Sequence, residues 1–206
     1  MNTKKLKQAE ALFLQKYPGG FLHPEMVAVG KKHKIEQLTA LTHELFFKKN
    51  FSDPYTVTEN MIKIVGRSSL VSIFEKPKFR DGMKTLEERP VKQLASGLKG
   101  FLHGDQPKGF QTLLDTLRPL KLAKWPLMTV IPNYYYPNDE VYIKPTTAKG
   151  VIEYFELENL QYRPEPDWDF YQRYRDAVTK MKSLVDASLA PNNAAFGGFL
   201  MMSMGQ

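Results

Sequence analysis

Clustered lysines are the residues of this sequence whose types and spacing point most directly to chemistry, because grouped ammonium ions bind the phosphates of nucleic acids and other polyanions. Residues 1–50 carry nine Lys and four acidic residues, residues 51–110 ten basic and seven acidic, and residues 111–206 ten basic and eleven acidic. The excess behind the net charge of +7 therefore lies in the first half of the chain. The alternative is a solvated face without a partner. We assign to the nucleic-acid-binding hypothesis Lys31, Lys32, Lys34, Lys48, Lys49, Lys76, Lys78 and Arg80.

A second candidate site lies in the stretch "PNYYYPNDEVYIKPTTAKG", residues 132–150. Thr146 or Thr147 can cap a helix that runs to about residue 158. The amides that open this helix, together with Lys144 and Lys149, can bind a phosphate or a carboxylate. A tyrosine ring beside them would offer a surface for stacking on a base. The alternative is that the three consecutive tyrosines only pack on the helices.

A third polar group contains Arg67, Glu75, Arg80 and Asp81. On one helix Arg67 and Glu75 would lie roughly 12 Å apart along the axis, so they would share a face without touching. We interpret the group as ion pairs that fix a central helix to its neighbours. A catalytic role would need a second carboxylate or a histidine placed by the fold.

Most catalytic and cofactor motifs are missing from the sequence. "GDQPKGF" has two glycines at P-loop spacing but continues with Phe110 where the phosphate-binding lysine is needed, and no Gly-x-Gly-x-x-Gly turn occurs. The histidines, at positions 23, 33, 43 and 103, include no i,i+4 pair for a helical metal site. A Ser-His-Asp triad stays open, although no Gly-x-Ser-x-Gly elbow is present. In "PNDEVYIK", Tyr142 stands where a metal-dependent nuclease would carry a carboxylate, and the chain has no cysteine. These observations favour a binding protein without metal or cofactor over an enzyme, and they leave an enzymatic role open.

Helical periodicity and capping residues predict the elements that must position these side chains. The second predicted helix is long and carries the "KKHK" cluster, with Gly30 as a place to bend. A capping box at Thr56-Val57-Thr58-Glu59 predicts the start of the third helix. Pro77 is interpreted as the stop of the fourth, and Pro90, Pro107 and Asp167 as starts of later helices. The first four predicted helices cover residues 3–17, 25–49, 56–65 and 69–76.

The stretch from residue 125 to residue 144 differs from the helical segments. Prolines recur at 126, 132 and 137, and the runs "LMTVI" and "EVYI" are β-prone. This pattern predicts a short β-hairpin or an extended crossing. The predicted fold class is mainly α, with one multi-helix domain over residues 1–206 and this single extended element.

The last residues, 190–206, form an apolar tail without charge. Six large apolar side chains left in water would make an unusually large patch, so the tail should dock on the core or on a second chain. Its alternative role is to bind a protein partner or to form a homodimer through residues 196–204. No run of about 18 apolar residues exists and the N-terminal residues lack a signal-peptide core, so we expect a cytoplasmic protein that does not associate with membranes.

Several motifs resemble those of an uncharacterised bacterial protein family. In that family Pro-Gly-Gly-Phe follows the first helix, Arg and Phe-Glu-Lys share a central helix, and Pro-x-Trp opens the last long helix. The resemblance spans most of the chain and implies no activity. The present sequence departs from the family pattern at its C-terminus, where an acidic segment ending in aromatic residues would be expected. The matching segments are "YPGGF" at 17–21, "GRSSLVSIFEKPKFRDGM" at 66–83, "KWPLMTVIPNYYYPNDEVYIKPT" at 124–146 and "YRPEPDWDFYQRY" at 162–174.

Three functional hypotheses follow from these observations. The leading one is electrostatic association with nucleic acid through the basic residues of the N-terminal half. The second is a protein-interaction or homo-oligomerisation module that uses the apolar tail. The third is an enzyme or binder of an anionic small molecule near Lys144.

Overall fold

Helices make up most of residues 1–205, which are the residues that the computed structural model describes. They surround one continuous apolar core, so the prediction of a mainly α, multi-helix single domain is confirmed. Short 3-10 turns lie at Gly20–Leu22, Lys48–Ser52 and Ala187–Leu189. In chain order the helices are α1 (Thr3–Lys16), α2 (Pro24–His33), α3 (Ile35–Leu45), α4 (Pro54–Arg67), α5 (Glu75–Lys84), α6 (Glu88–His103), α7 (Gln106–Leu117), α8 (Trp125–Tyr135), α9 (Pro145–Tyr154), α10 (Trp168–Lys182) and α11 (Asn193–Ser203).

Helices α6 and α7 form a hairpin whose backbones touch through glycines. A Cβ atom at Gly109 would lie 2.2 Å from the Phe101 nitrogen and 2.5 Å from the Gly100 carbonyl carbon. Only glycine fits such a close approach. The turn between the helices is capped by Asp105, whose carboxylate accepts the Lys108 amide at 3.1 Å. The hairpin is therefore a closely packed centre against which other helices pack.

Aromatic side chains connect this hairpin to α8 and α10. Phe110 of α7 stacks on Tyr171 of α10 with ring centroids 5.7 Å apart. Trp125, at the start of α8, lies 5.1 Å from Phe170, and its indole nitrogen donates to the Arg163 carbonyl at 2.7 Å. Large buried rings of this kind contribute strongly to the core.

The predicted β-hairpin over residues 125–144 is wrong, because "LMTVI" belongs to α8. Every residue of α8 is buried, so side-chain packing on all faces outweighs the β-propensity of Val130 and Ile131. Pro126 occupies the first turn, where no amide is needed. Pro132 lies inside the helix and removes one backbone hydrogen bond, which the buried surroundings tolerate.

Residues 140–144 form an irregular segment that belongs to no strand. Two side chains of α8 form hydrogen bonds with backbone groups of this segment, and a second strand is therefore not needed as their partner. The Ile143 amide donates to the Thr129 hydroxyl at 3.0 Å. The Asn133 side chain donates to the Glu140 carbonyl at 2.9 Å. Because its polar backbone groups are paired in this way, the segment can cross the core without forming a sheet.

The long second helix predicted over residues 25–49 is wrong, since it is two helices separated at Lys34. Lys34 has φ of +53°, a left-handed conformation that ends a helix. Its amide donates to the Lys31 carbonyl at 3.2 Å, and α3 begins at the next residue. The break therefore falls four residues after Gly30 and inside the lysine cluster.

The fourth predicted helix, residues 69–76, is also wrong. Residues 68–74 form an irregular loop, and α5 begins at Glu75. Pro77 lies in the first turn of α5, where its missing amide costs little, and not at a helix end. The α4 start also differs, because Asp53 and not Thr56 is the cap and accepts the Tyr55 and Thr56 amides. Residues Arg67 and Glu75 consequently belong to different helices.

The apolar tail forms α11 and packs on the rest of the chain. Phe196, Phe199 and Leu200 are buried, whereas Met201 is exposed. Phe199 meets Phe13 of α1 edge-on, with ring centroids 5.3 Å apart. Among the described helices, none combines the length and the apolar character that crossing a bilayer requires.

Candidate functional site

Five lysines lie on the two segments that flank one loop, and we call this region the basic surface. It consists of Lys31, Lys32 and Lys34 at the end of α2, the loop 68–74, and Lys76 and Lys78 in the first turn of α5. Lys76 is half-buried and the other four lysines are exposed. Within residues 1–205, none of the five forms an ion pair. Their charges are therefore free to attract an external anion.

Hydrogen bonds join the end of α2 to the loop. The Ser69 hydroxyl donates to the His33 carbonyl at 3.4 Å, and the same oxygen lies 2.8 Å from Nδ1 of His33. These two contacts are satisfied together when His33 carries its proton on Nδ1. The lysine cluster and the loop are thus held side by side, although 36 residues separate His33 from Ser69.

Two tyrosines hold the loop to the core. The Ser68 hydroxyl lies 2.9 Å from the Tyr134 hydroxyl, and Tyr142 donates to the Leu70 carbonyl at 2.7 Å. Ser68 and Val71 are themselves buried. The base of the loop is consequently attached to α8 and to the irregular segment that follows it.

The tip of the loop presents two apolar side chains to solvent. Ile73 is 71% exposed and Phe74 is 73% exposed. A turn fixes this tip, because the Ser72 carbonyl accepts the Glu75 amide at 3.0 Å and the Lys76 amide at 3.3 Å. Sequence reasoning missed both residues by assigning them to a helix. The adjacent apolar pair directly after Ser72 was the available signal.

Two acidic residues of α5, beside the basic surface, have partners of their own. Glu75 pairs with Lys124 at 3.3 Å. Arg80 donates to Asp81 at 2.8 Å, and this hydrogen bond lowers the pKa of Asp81. Arg67 is exposed at the end of α4 and joins neither pair. Glu75 and Asp81 therefore do not neutralise the five lysines.

Lys48 and Lys49 lie elsewhere, at the opposite end of α3. This helix has 11 residues and so separates Lys34 from the following turn by about 16 Å. Lys48 borders a cleft of about 490 Å³, whose lining also includes His103, Gln106, Tyr136, Asp139 and Glu140.

The Glu140 carboxylate of this cleft is buried and fully bonded. Its Oε1 accepts Gln106 and Arg175, each at 2.8 Å, and its Oε2 accepts the Tyr171 hydroxyl. Burial and the neighbouring carboxylate raise the pKa of Tyr171 well above its ordinary value. Because both carboxylate oxygens already have a donor within the chain, this network holds α7, α10 and the segment that follows α8 together.

The three consecutive tyrosines pack within the domain. Tyr134 holds the loop, as described above. Tyr135 stacks on His43 at 4.5 Å and meets His103 edge-on at 5.1 Å. The Tyr136 hydroxyl donates to a carbonyl of α6 at 2.9 Å.

The Lys144 corner is formed by the start of α9. Lys144 is the N-cap and makes no side-chain capping bond. Thr146 is exposed, and Thr147 is half-buried. Lys149 faces Glu153 at 4.0 Å, so its charge is partly countered. Lys144 thus lies at the helix amides as predicted for an anion site, whereas Lys149 already has the Glu153 carboxylate as a neighbour.

Alkaline pH is expected to weaken the attachment of the loop at Tyr134. Burial raises the pKa of Tyr134 from 10.0 to about 12. Because the pKa of Tyr134 is higher in the folded than in the unfolded protein, its contribution to stability is fully present below the unfolded-state pKa of about 10. This contribution disappears as the pH rises from about 10 to about 12. When the pH is raised from about 8 to about 11, the free energy of unfolding measured in urea should fall by about 1 kcal/mol more in the native protein than in Tyr134→Phe. Equal losses in the two proteins would contradict this expectation.

The fold and the surface define a mainly helical domain with exposed lysines around an attached loop. Comparison with known proteins finds no matching family model, no matching curated protein and no matching solved structure. The function is therefore inferred from geometry and charge.

Proposed function

We propose that the protein binds nucleic acid through the basic surface. The observation that supports this proposal is the group of five lysines without carboxylate partners on both sides of one attached loop. Phosphates that meet such ammonium groups release condensed counterions, and this release drives association. Lysines already paired with carboxylates would supply little of this effect.

The neighbourhood of the lysines also favours a nucleic acid over a simple solvated face. A solvated face usually intersperses charges of both signs, whereas Glu75 and Asp81 beside this surface are engaged with other cations. Aromatic rings between basic residues are typical of nucleic-acid-binding surfaces. Phe74 occupies such a position between the two lysine groups along the chain.

Charge reversal tests the proposal directly. In Lys31→Glu/Lys32→Glu/Lys34→Glu, the slope of log affinity against log salt for a labelled single strand should flatten by about 2, because three phosphate contacts are lost. The dissociation constant at about 50 mM salt should rise more than about 100-fold. Fluorescence anisotropy over a series of salt concentrations measures both quantities.

A matched control separates this surface from general charge. Lys99→Glu/Lys108→Glu/Lys180→Glu changes exposed lysines on α6, α7 and α10 and lowers the net charge by the same amount. The control should bind nearly as tightly as the native protein. Equal weakening by both variants would remove the basic surface from the proposal, and no binding by the native protein at low salt would refute it.

A further inference from the structure

We infer that the basic surface is specific for single-stranded nucleic acid and that Phe74 is the ring on which an unpaired base stacks. This inference rests on the proposed function and adds the class of nucleic acid. The feature behind it is the juxtaposition of an exposed ring with lysines that have no partner in the described chain.

The exposure of Phe74 needs a physical explanation. The ring is 73% exposed beside a similarly exposed Ile73, although burying such a side chain would normally stabilise a protein. The loop cannot turn the ring inward easily. Ser68, Leu70 and Val71 hold its base to the core, and the Ser72 turn fixes its tip. The apolar tip is therefore presented in one position.

A presented ring of this kind suits an unpaired base. In a duplex the base faces are covered by their neighbours, so a protein reaches only phosphates and groove edges. In a single strand each base has a free face that can stack on an aromatic ring while lysines bind the flanking phosphates. Lys34 lies beside the Ser69 end of the loop, and Lys76 and Lys78 follow its Phe74 end. Charges are thus available at both ends of the loop that carries the ring.

An anionic membrane surface would also attract lysines and apolar residues, but it fits this surface less well. Interfacial binding typically buries the whole apolar face of a helix. Here the exposed apolar tip of the loop consists of Ile73 and Phe74 alone. One stacked base needs only one ring.

Three substitutions of Phe74 distinguish stacking from general apolar contact. Phe74→Ala removes the ring, Phe74→Leu keeps an apolar side chain without aromaticity, and Phe74→Trp keeps a larger ring. Because Phe74 is exposed, none of these changes should affect folding. Phe47→Ala is the matched control, since Phe47 is 53% exposed at the other end of α3.

The experiment compares a labelled oligothymidylate of about 20 nucleotides with a duplex of equal length by anisotropy. The native protein should prefer the single strand. Phe74→Ala and Phe74→Leu should weaken binding to the single strand about 5- to 150-fold, the usual range for one stacked base. Phe74→Trp and Phe47→Ala should retain it, and duplex binding should be the same in all variants.

The outcomes separate the two proposals. If both nucleic acids bind equally and Phe74 has no effect, the single-strand inference is wrong while the proposed function stands. If neither binds, the proposed function is wrong. Sedimentation with phosphatidylserine vesicles supplies the remaining comparison. If vesicle binding depends on Phe74 whereas oligothymidylate binding does not, the surface is a membrane site and the inference is overturned.

Discussion

Replacement of Arg175 by methionine should lower the free energy of unfolding by about 3–5 kcal/mol, because it leaves a buried carboxylate without its cation. The Arg175 guanidinium donates to Glu140 at 2.8 Å, and the Glu140 side chain is only 4% exposed. Methionine keeps much of the apolar contact of the arginine stem but supplies no charge. Urea unfolding followed by circular dichroism measures the loss.

An exposed arginine on the same helix provides the control. Arg173 pairs with Asp169 at 3.0 Å, and both side chains are more than half exposed. Arg173→Met should therefore change stability by less than about 1 kcal/mol. Adding Glu140→Gln to Arg175→Met should restore part of the lost stability, because the buried charge is removed with its partner. A double variant less stable than Arg175→Met alone would contradict this explanation.

Gly109→Ala should destabilise the protein by about 3 kcal/mol, at the upper end of the usual cost of overpacking. The added methyl group would meet backbone atoms of Phe101 and Gly100 at 2.2 and 2.5 Å. Backbone cannot rotate away as a side chain can, so α6 and α7 must move apart. This movement would disturb the packing of Phe110 on α10. Thermal unfolding should show a correspondingly lower midpoint.

A second glycine tests whether the effect comes from the close approach. Gly66 lies inside α4, and a Cβ atom there would meet nothing within 4 Å. Gly66→Ala should leave stability unchanged or raise it by about 0.5–1 kcal/mol, since alanine favours the helix. Similar losses at both glycines would show that the α6–α7 contact is not the cause.

Capping residues and prolines in the sequence correctly predict several helix starts, because these residues act on the turn in which they stand. Asp167 was predicted to cap the last long helix found from sequence, and its carboxylate accepts the Phe170 amide at 2.8 Å. Proline near a predicted start also indicated α6 and α7 to within about two residues. Such signals act within one turn and can be read without the fold.

Tertiary packing decided the elements that were predicted wrongly. The β-prone run in α8 is helical because it is buried on every side, and the loop 68–74 is irregular because Tyr134 and Tyr142 hold it. Both effects come from residues distant in the chain. Local propensity is too weak to overrule them.

The sequence by itself determined that the fold is mainly helical, that the excess of basic residues lies in the N-terminal half, and that Asp167 caps α10. Composition, short-range periodicity and capping residues are enough to establish these properties. Only the tertiary structure decided which of the lysine-bearing segments lie beside the loop 68–74. It placed Lys48 and Lys49 at the far end of α3, joined His33 to Ser69 and left Phe74 exposed. Contacts across 36 residues, as between His33 and Ser69, arise from packing of the whole core, which no local pattern encodes.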